Sequence, residues 1–353
     1  MDAEAWNKKK ADLDPADMYG HVMNFPKYLK KGADIGRSAT IPQLNAGDIS
    51  NIVVCGMGGS AIGADLVRSY LADRMTMPMA VCRHYSLPNF VNSSSLVIGS
   101  SYSGNTEETL SAVQEAADIG AKVICITTGG KLADMAASGG WTAVKIPPGM
   151  SPRAALPYSF APLLVLMSRL GIVDGCDGDL DKAIDAAEIR VKGYAIDTAG
   201  NTAAELAENI HGRIPVIYSG PDYFDAVAVR FKGQICENSK QLAFVNVYPE
   251  YNHNELVGWE IFKPFVEKLI VLTLRDTEDH PRVSARMNIV GKLFSDRGVE
   301  AVDLNSDGDS RLSRMISLIQ LGDFVSVYLA LLNGADPTPV KVIDHLKSEL
   351  AKQ

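Results

Sequence analysis

Asn51-Ile-Val-Val-Cys-Gly-Met-Gly-Gly-Ser-Ala-Ile-Gly63 reads as a strand that runs into a glycine turn and then into a helix. Its β-branched run suits a strand covered on both faces, as parallel sheets require. Moving outward, a helical pattern follows from Ser60 to Ala72. Further strands are expected at Met79–Cys82, Leu96–Ser100 and Lys122–Thr127, with helices at Thr106–Ile119 and Leu132–Ala137 between them. Alternation of this kind predicts an α/β fold built on a parallel sheet.

Upstream, residues 1–45 read as a helical N-terminal arm. Downstream, Ile146-PPGMSP-Arg153 is a proline-rich bend, and an apolar helix runs from Tyr158 to Leu170. The stretch GIVDGCDGDLD then reads as a polar linker. A second α/β pattern follows, with strands at Pro215–Ser219, Ala243–Val247, Lys268–Leu274 and Val299–Asp303. A helix spans about Arg311 to Leu332. The halves look like a diverged repeat, in which Ile52-VVCGMGGSAIGADLV pairs with Val216-IYSGPDYFDAVAVRF and Lys122-VICITT with Lys268-LIVLTL. The second copy lacks the glycines and hydroxyls of the first. Four segments are therefore expected: the arm at 1–45, a phosphate-binding subdomain at 46–178, a second subdomain at 179–335, and a C-terminal helix at 336–353.

The bulk properties agree with two soluble domains. The chain has 353 residues, 46% hydrophobic and 22% charged. A net charge of −8 argues against broad attraction to nucleic acid or an acidic membrane, so an anionic substrate would need a local positive site. The N-terminus shows no signal-peptide core and no stretch reads as a transmembrane helix, so the cytoplasm is the expected compartment. The five cysteines form no CxxC pair and read as small buried hydrophobes; no metal site is expected.

Two loops carry the chemistry. Gly56-Met-Gly58-Gly59-Ser60-Ala-Ile-Gly63 lets a ligand approach the backbone at a helix N-terminus, where free N–H groups favour an anion. Gly56-x-Gly58-x-x-Ala61 also satisfies a loose dinucleotide fingerprint. That reading wants an acidic residue at the end of the next strand, and Cys82-Arg83-His84 stands there instead. The second loop, Ser100-Ser-Tyr-Ser-Gly-Asn-Thr106, gathers the hydroxyls of Ser101, Ser103 and Thr106 at another strand-to-helix turn. It has no P-loop lysine, which argues against triphosphate hydrolysis.

GMGGSAIG followed by SYSGNTEET resembles the sugar isomerase (SIS) fold, in which such loops hold the phosphate of a phosphosugar. Pro152-Arg153-Ala-Ala-Leu, Cys236-Glu237-Asn-Ser-Lys240, Tyr251-Asn-His253-Asn-Glu255 with Gly258-Trp259, and the C-terminal helix with Lys347 resemble the bifunctional phosphoglucose/phosphomannose isomerase family. The resemblance covers about residues 50 to 350. It implies two SIS-type subdomains, each a mainly parallel sheet flanked by helices. It also implies a hexose 6-phosphate substrate bound at Gly58, Gly59, Ser60, Ser101, Ser103 and Thr106, with no cofactor.

Aldose–ketose isomerisation needs a base between C1 and C2, a cation for the enediolate, and groups that open the ring. The resemblance assigns these roles to Glu237 as base, Arg153 as enediolate stabiliser, and His253 and Lys347 as ring openers. Asn252, Asn254 and Glu255 are candidates to orient His253. Lys347 borders a helical stripe of Val340, Ile343 and Leu350, with Leu346 beside them. The family also implies a homodimer in which His253 reaches the partner's site. Two rival readings are a non-catalytic phosphosugar-binding regulator and another SIS sugar-phosphate enzyme.

Overall fold

The computed structural model describes residues 1–221, 223–260 and 263–352. Asp222, within the second stretch of the expected repeat, lies outside them. The N-terminal arm forms α1 (Ala3–Leu13), α2 (Met18–Met23) and α3 (Phe25–Ser38). It is no loose appendage. Trp6 is buried edge-on against Tyr328 at 4.8 Å, and α3 packs along the apolar helix after the proline-rich bend.

The first sheet contains β1 (Asn51–Cys55), β2 (Met79–Cys82), β3 (Ser95–Ser101), β4 (Lys122–Thr127) and β5 (Thr142–Lys145). Between them lie α4 (Gly58–Tyr70), α5 (Glu107–Ile119) and α6 (Gly130–Gly139). All pairings are parallel, in the order β2-β1-β3-β4-β5. Every residue of β1 and β3 is buried, which is why each carries an apolar stretch, 52–55 and 96–99, without polar alternation. β5 was not expected from the sequence. Of its four residues only Val144 is buried, so this edge strand has no apolar run.

After the bend come α7 (Leu156–Arg169), α8 (Cys176–Gly193) and α9 (Thr202–Ile210). The stretch read as a linker is in part the first turn of α8. Asp177 and Asp179 sit where acidic side chains favour a helix N-terminus, and Cys176 is buried. A boundary at residue 178 would cut this helix, which packs on α3 and α7.

The second sheet holds β6 (Ile214–Ser219), β7 (Phe244–Val247), β8 (Leu269–Arg275) and β9 (Glu300–Asn305), in the order β7-β6-β8-β9. Its helices are α10 (Asp225–Asn238), α11 (Pro281–Asp296) and α12 (Arg311–Leu332), and the chain ends in α13 (Lys341–Leu350). The order repeats that of the first sheet. β6 stands where β1 does, as the sequence pairing has it. β8 borders β6 and so occupies the place of β3, which corrects the pairing of Lys268-LIVLTL with Lys122-VICITT.

Helix α12 is long and apolar enough to cross a membrane, but it is almost wholly buried in the protein. It is the core helix against which α8, α9 and α10 pack. Its one buried carboxylate, Asp323, accepts two 2.9 Å bonds from Arg230 and one of 2.8 Å from Gln234, both on α10. That pairing satisfies a charge that would otherwise be costly to bury, and it fixes α10 against the core.

Candidate active site

The first sheet reverses direction of winding between β1 and β3. From β1 the chain goes through α4 to one side, and from β3 through α5 to the other. A crevice opens at such a switch point, beyond the carboxyl ends of the strands. The register sets Cys55 level with Gly99, so the glycine loop and the hydroxyl loop begin side by side.

Both loops end at helices whose N-caps, Met57 and Thr106, make no side-chain capping bond. Ser60 N already donates to the Met57 carbonyl at 3.1 Å, and the amides ahead of it, like those that open α5, point toward where an anion would sit. The Thr106 hydroxyl instead pairs with Ser101 Oγ at 2.9 Å, and Ser101 Oγ also accepts from Gly104 N at 3.1 Å. Ser103 Oγ, on an exposed residue, accepts from Asn105 N at 3.3 Å. Ser60 Oγ accepts from Tyr102 N at 3.2 Å and ties the two loops together. Gly104 has φ +70°, and a Cβ there would collide with the Gly129 carbonyl oxygen, so the hydroxyl loop needs glycine at this position.

The glycine loop also reaches the second half of the site. A Cβ on Gly59 would lie 2.5 Å from the Pro152 carbonyl oxygen, a contact only glycine permits. Tyr102 adds a second tie, donating to the Pro147 carbonyl at 2.9 Å and accepting from Met150 N at 3.0 Å. These contacts position Arg153, which is buried and is not the surface arginine its sequence context alone would suggest.

Arg153 Nη1 lies 3.4 Å from Glu237 Oε2. Its Nε donates to Asn238 Oδ1 at 2.5 Å, and Nη2 donates to the carbonyls of Pro337 and Thr338 at 2.6 and 2.7 Å. Burial pulls the guanidinium pKa down and the Glu237 carboxylate opposes that shift; the group stays charged. Glu237, at the last turn of α10, is about one-third exposed. The end of α10 is pinned to α12 by Asn238 Nδ2 to Ser326 Oγ at 2.9 Å and Ser239 Oγ to the Ser326 carbonyl at 2.7 Å.

His253 and Lys347, the expected ring openers, come from a short turn and from α13. Among the described residues, neither makes a hydrogen bond or ion pair with Arg153 or Glu237. His253 is exposed on a 3-10 turn at Glu250–His253. The three residues expected to orient its ring are otherwise placed. Glu255 accepts from Tyr218 Oη and from Asn246 Nδ2, Asn254 donates to Glu250, and the side-chain amide of Asn252 is buried with no hydrogen-bond partner among the described residues. Lys347 lies on α13, of which no residue is buried. Ile343, Leu346 and Leu350 form an open stripe, 41–58% exposed.

Sequence reasoning assigned no role to Lys240, although it lies in the quoted segment after Glu237. Its Nζ donates to the Glu237 carbonyl at 2.5 Å and to the Pro337 carbonyl at 3.0 Å. Both partners are backbone oxygens, one of them distant in the chain, and side-chain pattern carries no sign of such contacts.

Comparison with known proteins gives the family. Residues 48–139 match the SIS domain, and residues 199–350 match the bacterial phospho-glucose isomerase C-terminal SIS domain. Curated bifunctional phosphoglucose/phosphomannose isomerases are similar over nearly the whole chain. That of Caldicellulosiruptor bescii is 45% identical, over 95% of this chain and 99% of its own. That of Aquifex aeolicus is 41% identical, over 85% and 90%. That of Thermoplasma acidophilum is 34% identical, over 94% and 99%. A hypothetical protein of Thermus thermophilus shares the fold at TM-score 0.76 and 16% identity, covering 99% of this chain and 93% of that one. The chain belongs to the bifunctional phosphoglucose/phosphomannose isomerase family and is a sugar-phosphate isomerase with two SIS-type α/β units.

Proposed function

We propose that this isomerase interconverts glucose 6-phosphate and mannose 6-phosphate with fructose 6-phosphate through an enediolate. The phosphate binds the amides of Gly58 and Gly59 and the hydroxyls of Ser60, Ser101, Ser103 and Thr106. Glu237 takes the proton from C2 of the open aldose and returns it to C1. Arg153 stabilises the negative charge that builds on the oxygens at C1 and C2. Both aldoses give one enediol once the C2 proton leaves, so one base serves two substrates. The observation that carries this reading is the Arg153–Glu237 pair, joined to the phosphate loops by the Gly59–Pro152 contact.

His253 and Lys347 open the sugar ring, and the working unit is a homodimer in which His253 reaches the partner's site. Two features support this. His253 is exposed on a short turn, and α13 offers an apolar stripe that its own chain does not cover. The compartment is the cytoplasm, in keeping with five free cysteines of which four are buried.

The test is a coupled assay on fructose 6-phosphate that follows both aldose phosphates. Glu237→Gln is expected to lower turnover by roughly a thousandfold, the range of a general base. Wild-type binding without turnover would favour a phosphosugar sensor. A variant that keeps more than about a tenth of wild-type turnover would remove Glu237 from the role.

A further inference from the structure

We propose that Lys240 is a positioning residue of the isomerase site, holding the carbonyl that Arg153 uses and placing a second positive charge beside it. This rests on the reaction proposed above. The Pro337 carbonyl accepts from Arg153 Nη2 at 2.6 Å and from Lys240 Nζ at 3.0 Å, so two cations share one oxygen. Lys240 Nζ also holds the carbonyl of Glu237, the residue whose side chain faces Arg153. One ammonium thus joins the end of α10 to the segment before α13 at the point where Arg153 is anchored. Lys240 does this from a left-handed backbone, φ +54°, a conformation non-glycine residues seldom adopt. Nothing in helix termination alone calls for a lysine there.

The charged groups around Lys240 are Arg153 from the turn before α7, Glu237 from α10, and Asp336 from the segment before α13. Arg230 of α10 acts on Arg153 but is itself paired with Asp323 of α12. Burial and Arg153 lower the Lys240 pKa to about 8, against the pull of Asp336 and Glu237. The two cations are therefore held side by side at some cost. An anion at the reacting carbons relieves that cost, so the pair favours the enediolate over the neutral sugar. A neutral amine can still donate hydrogen bonds, so pH reports the charge, whereas removing the side chain reports charge and contacts together.

Two ligands separate these effects without turnover. Arabinonate 5-phosphate carries a carboxylate where the enediolate oxygens would form; arabitol 5-phosphate has the same tail and no such charge. In calorimetry on the full chain, Lys240→Met is expected to weaken the aldonate about tenfold near neutral pH and to leave the alditol within about twofold. Wild-type affinity for the aldonate should decline as pH rises through about 8, because the ammonium is present below that value and lost above it. Lys240→Arg should stay flat to above about pH 9, since a guanidinium keeps its proton there. Fructose 6-phosphate turnover in Lys240→Met should fall about tenfold with KM within about threefold.

Equal weakening of both ligands, a flat wild-type profile across pH 8, or full aldonate affinity in Lys240→Met overturns the assignment. If Lys240→Met does not fold, the arginine variant decides by its pH profile. Wild-type protein that binds the aldonate through Lys240 yet isomerises nothing sinks the reaction and leaves Lys240 standing. Turnover without dependence on Lys240 does the reverse, and failure to bind either ligand sinks both.

Discussion

Beyond β1 and β3 the chain places glycines, hydroxyls and uncapped helix amides. Beyond β8, the equivalent of β3, it places Asp276, Glu278 and Asp279. The strand order is the same, so each sheet has its own switch point, but only the first suits an anion. In the second, buried Asp276 accepts from Arg314 Nε at 2.8 Å and from Ser306. Glu278 pairs with Arg314 and Arg311, at 2.6 and 2.9 Å. Arg311 also stacks 3.6 Å over the Tyr223 ring and meets Asp73, just beyond α4, at 2.8 Å. One crevice keeps glycines and hydroxyls at its mouth, and the other carries ion pairs, among them Arg311–Asp73, which joins the two halves. Topology creates the crevice; its side chains decide whether it is a site or a strut.

Substitutions at the two ends should separate function from stability. Arg153→Met should lose roughly a thousandfold in kcat, about 4 kcal/mol of transition-state stabilisation, with a smaller change in KM. Steady-state kinetics on fructose 6-phosphate checks this. If the loss appeared mainly in KM, Arg153 would be a binding group and not an enediolate stabiliser. Asp276→Asn should cost about 3 kcal/mol in urea unfolding, because it leaves Arg314 buried without its full charge partner. The folded fraction should keep wild-type KM. A change in KM would mean that the second crevice takes part in substrate binding.

A smaller effect sharpens the phosphate side. Ser101→Ala removes one buried hydroxyl from a set of several donors, so KM should rise about tenfold with kcat little changed. The smallest effect belongs to the strut's exposed end. Asp73→Asn breaks a surface pair with Arg311, and urea unfolding should show a loss of about 1 kcal/mol or less. A larger loss would show that the brace between the halves is cooperative.

The strands were legible because a strand covered on both faces carries consecutive apolar residues without polar alternation, as β1, β3, β4 and β8 do at their centres. The glycine loop and the hydroxyl loop were legible because their residue types stand out in the sequence. Elements with weaker patterns were not. β5 buries one residue of four, and the glycines around Cys176 hid the start of α8. The repeat was paired one strand out of step at β8, because Lys268-LIVLTL and Lys122-VICITT look alike as apolar runs, although β8 and β3 are each the third strand of their half.

Local composition alone therefore determined the α/β class, the two-fold repeat and the two anion-ready loops, since backbone preference and burial act over a few residues at a time. Tertiary structure decided how Arg153 is used. Its partners come from α10 and from the segment before α13, and three of its four hydrogen bonds go to Asn238 and to the backbone carbonyls of Pro337 and Thr338. It also placed Lys240 beside that arginine. Carbonyl oxygens are common to every residue, so only the folded chain selects which of them a cation meets.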